Sequence, residues 1–503
     1  MSSTPNSATP NSANPVLPNF RPNELKIDTA YQQVDEATWA TLIGKAIDAG
    51  VFSKRDAMFA GKHINQSENR AVLHTALRNL SSSEVLVDGE DVMPAIKQVW
   101  KQIDNLCNKS VGITDIIHIG IGGSDFGPRL VCNTLHQIAP NENRHVRVHF
   151  LANIDSAELA NILGKAQALT TRVIIVSKSF TTLEALQNAN SVIDWLKEKG
   201  VSSSQLSKYL FGVTANPELA ENFGIAKENI FPFWDWVGGR FSVWSAVGLP
   251  IALKFGFNAF KEFLAGAYAM DEHFRTAPPQ ENQPLLLALT LLHNQERFNI
   301  KSQALIPYAE SLSDMPHWLQ QLEMESNGKS TRIDGSSTKV SSPVIFGSVG
   351  SNAQHSFFQM LHQGPEIIPV DFITVKTPMS NLQNAKAHHW QLLANCLAQA
   401  QALANGQENL TDPNLNYPGG RPSNLIWLPK LDAFNLGSLL ALYEHRTFCL
   451  GVLWGLNSFD QPGVELGKKL AKPIEQALSN PSDASLLDSL DKVSADRVRW
   501  LQK

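Results

Sequence analysis

The chain has 503 residues, 43% of them hydrophobic and 18% charged, with a formal net charge of -5. This is globular composition, long enough for more than one core, and its mild acidity argues against a nucleic-acid or anionic-membrane surface while leaving room for a local cationic pocket. The four cysteines, Cys107, Cys132, Cys396 and Cys449, lie far apart with no CxxC pair, which argues against a disulfide framework or a cysteine zinc site and fits free thiols in a reducing compartment.

Met1 to Phe20 contains no Lys, Arg, Asp or Glu and is rich in Ser, Asn, Thr, Ala and Pro. It lacks the basic start and apolar core of a signal peptide and reads as a disordered tail, taken as residues 1–23. No run reaches the ~18 apolar residues of a membrane helix, so a cytoplasmic protein is expected. Glu24 to about Leu80 reads as helical. Within it Glu68–Arg78 carries an apolar stripe, Val72, Leu73, Ala76 and Leu77, and its charged residues read as a solvated face.

From Val111 the pattern changes. Ile113–Ile119 is a strand candidate, followed by Gly120-Ile-Gly-Gly-Ser-Asp-Phe-Gly127 and a helix opened by Pro128 and running from Arg129 to Ile138. Val146–Phe150 alternates as a strand, and 156–168 reads as a helix. Val173–Val176 is a short β-branched run that reads as a strand, and Leu210–Val213 is another strand candidate. Strands alternating with helices predict a parallel, doubly wound α/β sheet. A dinucleotide fingerprint fails in the first loop, because Asp125 stands where GxGxxG needs glycine.

A second run of the same kind begins later. Ala304–Ile306, Pro343–Phe346, Ile367–Val370, Ile373–Val375 and Leu425–Leu428 are strand candidates, with an apolar helix over Leu436–His445 and a peripheral helix over Ala484–Trp500. The strand, Gly-rich turn and helix at 343–363 echo those at 113–138, a weak internal repeat that points to two related halves.

Several groups carry chemistry. Between the strand at Val173–Val176 and a helix beginning at Leu183 stand Ser177, Lys178, Ser179, Thr181 and Thr182. Helix N-termini offer unpaired N–H groups and favour negative charge, so these hydroxyls read either as ordinary N-caps or as a phosphate cup. Ser124, after the first Gly-rich loop, would open at the same carboxyl edge of the sheet and could face the same phosphate. Arg240 follows two glycines among aromatics, placed to address an anion or to stack on a ring. His317–Gly328 reads as a helix that puts Gln321 and Glu325 on one face and turns Glu323 elsewhere; Glu325 is a candidate base or a surface glutamate. His355 and His362, seven apart, read as sharing a helix face. They are too far apart for the usual zinc pair, and no HExxH occurs. Lys468 and Lys469 sit at a helix start, where lysines usually face solvent.

Taken in order, Gly120–Arg129, Ser177–Leu186, Asp235–Gly248, Met324–Lys329, Gly350–Gly364, Ala441–His445 and Ser458–Leu470 resemble the phosphoglucose isomerase family over roughly residues 60 to 475. Asp235-Trp-Val-Gly-Gly-Arg-Phe-Ser-Val-Trp-Ser-Ala-Val-Gly248 and Ser458-Phe-Asp-Gln-Pro-Gly-Val-Glu-Leu-Gly-Lys468 are the most specific stretches. The resemblance implies reversible conversion of glucose-6-phosphate and fructose-6-phosphate through ring opening and a cis-enediol, with neither metal nor cofactor. It implies two doubly wound sugar-isomerase subdomains, at 89–265 and 295–480, with helical extensions at 24–88 and 481–503. It also implies a homodimer without nucleic-acid or membrane partners. By matching position, Glu325 would be the base and Arg240 would stabilise the enediolate. His355, from the partner subunit, and Lys468 would serve ring opening. Ser124, Ser177, Lys178, Ser179 and Thr182 would hold the phosphate, with Gln321 and Gln461 nearby. The chain departs from the family at Ser179 (commonly Thr), Pro462 (often Trp) and Ala353 (usually Gly), none of which removes a reacting group. A non-catalytic sugar-phosphate sensor on this fold would have lost Glu325, Arg240 or His355, and all three are present. Specificity that extends to mannose-6-phosphate stays open.

Overall fold

The computed structural model describes residues 22–138 and 145–503. The tail expected at 1–23 lies, up to residue 21, outside them. The described residues fall into two compact units, one ending at Ser458 and one spanning Phe459–Lys503.

In the larger unit β1 (Lys26–Asp28) comes first, and β2 (Leu86–Val87) with β3 (Glu90–Asp91) makes a short antiparallel ribbon. Five strands then build one sheet: β4 (Asp115–Ile119), β5 (Arg147–Leu151), β6 (Thr171–Val176), β7 (Leu210–Thr214) and β8 (Ile230–Pro232). All pair in parallel in the order β5-β4-β6-β7-β8. This is the flavodoxin-like order, with a switch point between β4 and β6 where the chain changes direction across the sheet. The strands are apolar and β-branched because both faces are covered. Ile117, Ile119, Val173 and Ile175 pack against Ala185, Ala189, Val192 and Leu196 of the helix Leu183–Glu198.

The second sheet contains β9 (Ser302–Pro307), β10 (Val344–Gly347), β11 (Val370–Val375) and β12 (Ser423–Leu428), in the order β10-β9-β11-β12. These four strands are parallel and repeat the β5-β4-β6-β7 order of the first sheet, so the two α/β halves share a topology. The repeat runs in a different register from the one the sequence echo implies: by position in the sheet β10 matches β5, and β9 matches β4. One strand breaks the parallel pattern. β1 adds to β12 antiparallel, with Ile27 opposite Ile426. Behind the sheets the long helix Ala433–Trp454 is buried almost throughout and crosses Phe257–Thr276 backbone to backbone. A Cβ on Gly266 would stand 1.7 Å from the Phe434 carbonyl oxygen, and one on Gly437 2.0 Å from that of Phe263.

Several expectations need correction. Of Glu24–Leu80, only Glu36–Asp48 and Val51–Phe59 are α-helical. Glu68–Arg78 is not a helix. It turns through a bridge between Asn65 and Arg70, hydrogen-bonds the Leu73 N–H to the Trp236 carbonyl, and ends in a short 3-10 turn at Ala76–Arg78. Its apolar residues are buried as expected, but Arg78 is buried too, paired bidentately with Asp271 and bonded to Glu444 at 2.5 Å. That buried pairing, not helix periodicity, sets the local path. Of the strand candidates Ile367–Val370 and Ile373–Val375, the first reduces to Val370, which opens the single strand β11 that contains the second. In the smaller unit, Ala484–Trp500 divides into Ser485–Asp488 and Lys492–Leu501, where Asp491 caps the second helix by accepting from Val493 and Ser494 N–H. The four cysteines are free thiols. No helix among the described residues is long and apolar enough to cross a membrane.

Candidate active site

The loops after β4 and β6 leave adjacent strands at one edge, with Ile119 paired to Ile175. Ser177 Oγ lies 3.0 Å from Thr182 Oγ1, and Ser179 Oγ lies 2.7 Å from Thr181 Oγ1. Thr182 occupies the N-cap position of Leu183–Glu198, yet its side chain makes no capping bond. The capping reading of this stretch therefore fails for Thr182, whose hydroxyl turns to Ser177. Between the pairs Phe180 adopts a left-handed φ of 53° while its ring is buried in the core against Phe223. A bulky residue in that region is strained by about 1–2 kcal/mol, and such strain recurs where a loop is shaped for a ligand.

The lysine in this turn does something the sequence did not indicate. Lys178 Nζ donates to the carbonyls of Asp235 and Val237 at 2.7 and 2.9 Å, and burial lowers its pKa. It thereby ties the hydroxyl turn to the segment that carries Arg240. Ser124 is held from below: buried His118 donates from Nε2 to the Ser124 carbonyl at 2.7 Å. Burial depresses the His118 pKa to about 4, so the ring is neutral. Asp125 is buried and chelated by Arg129 at 3.0 and 3.1 Å.

The Gly-rich loop is the hub. A Cβ on Gly123 would lie 2.1 Å from the carbonyl carbon and oxygen of Gly239, so the two backbones approach this closely only because residue 123 is glycine. A Cβ on Gly122 would meet Gln321 Nε2 at 3.1 Å. Arg240, next in the chain, is buried. Its Nε donates to Ser326 Oγ at 2.6 Å, Nη2 donates to the Ser458 carbonyl at 2.5 Å, and Nη1 lies 3.5 Å from Glu325 Oε1. The Glu325 side chain keeps 25% of its surface exposed, against 2% for Arg240. One group is therefore open to a substrate and the other is locked behind it.

The segment bearing Glu325 begins as an α-helix at Met315–Leu319 and widens into a π-turn at Gln320–Glu325. The simple four-residue face expected for Gln321 and Glu325 does not hold in a π-turn. Both nonetheless point toward the Gly-rich loop and Arg240, and π-turns of this kind are frequent at functional sites. Glu323 turns elsewhere, as expected, and the direction it takes is into the core, where it is fully buried.

The shared helix face expected for His355 and His362 is absent. The helix Gly350–Gln354 stops, Phe357 packs edge-on to Phe346 at 5.2 Å, and a second helix runs over Phe358–Gln363. His362 is half-buried, 2.8 Å from Gln399 Oε1, whereas His355 is exposed at the end of the first helix. Lys468 and Gln461 belong to the smaller unit. There Lys468 is solvent-facing on the helix Glu465–Ser479 and pairs with Glu465 at 2.8 Å. The structure thus brings Ser124, Ser177, Ser179, Thr182, Gln321, Arg240 and Glu325 onto linked loops of one unit. Ser326 and Ser458, which hold Arg240, were inside recognised motifs, but spacing alone could not assign them.

Hydroxyls at the switch point of a doubly wound sheet, beside a guanidinium–carboxylate pair, define an α/β enzyme for a small anionic substrate. The family described as phosphoglucose isomerase matches residues 28–493, beyond both ends of the stretch at 60–475 that carries the resemblance. A glucose-6-phosphate isomerase of Cupriavidus metallidurans is 46% identical over 476 residues, 90% of this chain and 87% of the relative. One from Paraburkholderia phytofirmans is 44% identical over 503 residues, covering 95% and 91%. The crystal structure of a glucose-6-phosphate isomerase from Chlamydia trachomatis superposes with a TM-score of 0.85 at 33% identity, over 95% of this chain and 91% of that one. The chain belongs to the phosphoglucose isomerase family.

Proposed function

We propose that this chain interconverts glucose-6-phosphate and fructose-6-phosphate by opening the sugar ring and moving one proton between C2 and C1 through a cis-enediolate. The observation that carries the reading is the buried grip on Arg240, with its Nη1 3.5 Å from Glu325 Oε1. Glu325 takes the proton from one carbon and returns it to the next. Arg240, fixed before reaction begins, lies where the enediolate charge develops, and preorganised charge of this kind is the largest single contribution in many enzymes. Ser124, Ser177, Ser179 and Thr182 hold the phosphate, with Gln321 and Gln461 beside them. Lys178 acts in this site by fixing the Asp235–Val237 backbone. Anchoring the remote phosphate restrains the sugar in a reactive pose. His355 and Lys468 assist ring opening, His355 reaching the site of the partner subunit in a homodimer; its exposure on this chain supports that reading.

The test is a coupled assay of fructose-6-phosphate conversion with EDTA present. Activity is expected to survive chelation; its loss would count against metal-free proton transfer. Glu325→Gln is expected to lower kcat by about 10²–10⁴-fold while inorganic phosphate still competes. A near-normal kcat would remove Glu325 from the role of base.

A further inference from the structure

We propose that Glu323 is a positioning residue for Arg240 and Glu325, an inference that rests on the isomerase reading above. Glu323 lies two residues before Glu325 on the same π-turn but faces the opposite way, fully buried. Its Oε1 accepts from Asn327 Nδ2 at 3.0 Å, and its Oε2 accepts from Thr447 Oγ1 at 2.6 Å. Asn327 Nδ2 also donates to the Thr447 carbonyl at 2.9 Å, and its Oδ1 accepts from Ser458 Oγ at 2.7 Å. Ser458 offers its carbonyl to Arg240 Nη2, and Ser326, the neighbour of Asn327, offers its hydroxyl to Arg240 Nε. A buried chain of hydrogen bonds therefore runs from Glu323 through Asn327 to Ser458, one of the two groups that hold the guanidinium, and the other, Ser326, is the covalent neighbour of Asn327.

The direction of each bond in this chain follows from the carboxylate. An ionised glutamate only accepts. The Asn327 amide must therefore present its nitrogen to Glu323, which leaves its oxygen for the Ser458 hydroxyl. That contact fixes Ser458 with its carbonyl toward Arg240. Space for it exists because residue 451 is glycine: a Cβ there would stand 1.8 Å from Ser458 Oγ. The buried charge has a counterpart. Arg446, also fully buried, places Nη1 3.9 Å from Glu323 Oε2 and donates from Nη2 to Gln303 Oε1 at 2.5 Å. A buried ion pair is weak evidence of a contribution to stability, since apolar residues can often replace one without loss. What apolar residues cannot supply is two acceptors of fixed direction beneath the π-turn.

Glu323→Gln tests this, because it keeps shape but turns an amide donor toward Thr447 or Asn327. The expected result is a fall in kcat for fructose-6-phosphate of about 10–100-fold, the scale of a small misplacement of reacting groups. KM and the inhibition constant of inorganic phosphate should stay within about twofold, since the phosphate hydroxyls lie outside this chain of bonds. Thr447→Val should lower kcat in the same way by about threefold or more, and Thr447→Ser, which restores the hydroxyl, should recover it. A Glu323→Gln enzyme with kcat within twofold of wild type would overturn the proposal. So would a phosphate inhibition constant that weakens in step with kcat, which marks general loosening. If Glu323→Gln does not fold, Thr447→Val decides, and an unchanged kcat there overturns it. Wild type and Glu325→Gln run alongside separate the two ideas: an inactive wild type removes both, and an active wild type with an unaffected Glu323→Gln removes only this one.

Discussion

Gly123→Ala adds one methyl group at the tightest backbone approach in the site. Its Cβ would lie 2.1 Å from the carbonyl carbon and oxygen of Gly239 and 2.6 Å from the Arg240 nitrogen. Ordinary contact begins at 3.4 Å, so the approach is short by about 1.3 Å. The colliding atoms are backbone, which cannot rotate away as a side-chain tip could. The Gly-rich loop and the Arg240 segment must therefore part by an ångström or so. Overpacking of this size costs about 1–3 kcal/mol of stability, and an error near 1 Å in the reacting groups can cost about 10²-fold in rate. The coupled fructose-6-phosphate assay, with thermal melting in parallel, should show kcat/KM down by about two orders of magnitude and a lower melting midpoint. Gly239→Ala is the control from the other side of the contact: a Cβ there meets nothing within 4 Å, and activity should stay within about twofold of wild type. Equal behaviour of the two variants would refute the reasoning.

Arg240→Lys keeps the charge but loses the fork that bonds Ser326 and Ser458 together; kcat should drop by about 10²–10³-fold, and a loss under threefold would mean that charge alone suffices. Ser177→Ala combined with Thr182→Ala removes the 3.0 Å hydroxyl pair and should raise KM for fructose-6-phosphate more than it lowers kcat; an unchanged KM would remove both from phosphate binding. His118 predicts an acid weakness. Its pKa falls from 6.5 in the unfolded chain to about 4 when buried, so the unfolded state takes up a proton first as pH drops. Its stabilisation is whole above pH 6.5 and is lost as pH falls toward about 4, roughly 3 kcal/mol in all. Urea unfolding across that range should show a shallower pH dependence in His118→Gln, which keeps a donor for the Ser124 carbonyl, than in wild type.

β4 and β6 were readable because each is an apolar run rich in Ile and Val ended by a turn residue, Gly120 or Ser177, a local signal, whereas β1 and β8, three residues each, carry too little pattern to be read. Glu68–Arg78 misled for the opposite reason. Its apolar spacing imitates a helix, while the partners that set its path, Asp271 and Glu444, stand 193 and 366 residues beyond Arg78. Within the site, the glycines at 120–123 announced close backbone approach through composition alone, which Gly123 shows, and the hydroxyls at 124 and 177–182 are the basis of the proposed phosphate cup. The grip on Arg240 did not, since Ser326 and Ser458 lie 86 and 218 residues away and a serine carries no mark of its partner. The π-turn at Gln320–Glu325 was hidden because it depends on how Glu323 and Asn327 are bonded in the core, which residue spacing does not encode.

The pairing of β1 with β12 bears on how the chain is made. Ile27 and Ile426 are neighbours in the sheet but about 400 residues apart along the chain. At 5–20 residues per second, a ribosome needs about 20–80 s between delivering the first and the second. Asn424, which accepts from Gln32 and donates to Asp371 in the same buried network, arrives equally late. β1 thus waits for most of the described chain before it can find its place. For that interval its hydrogen-bonding edge is without its partner strand.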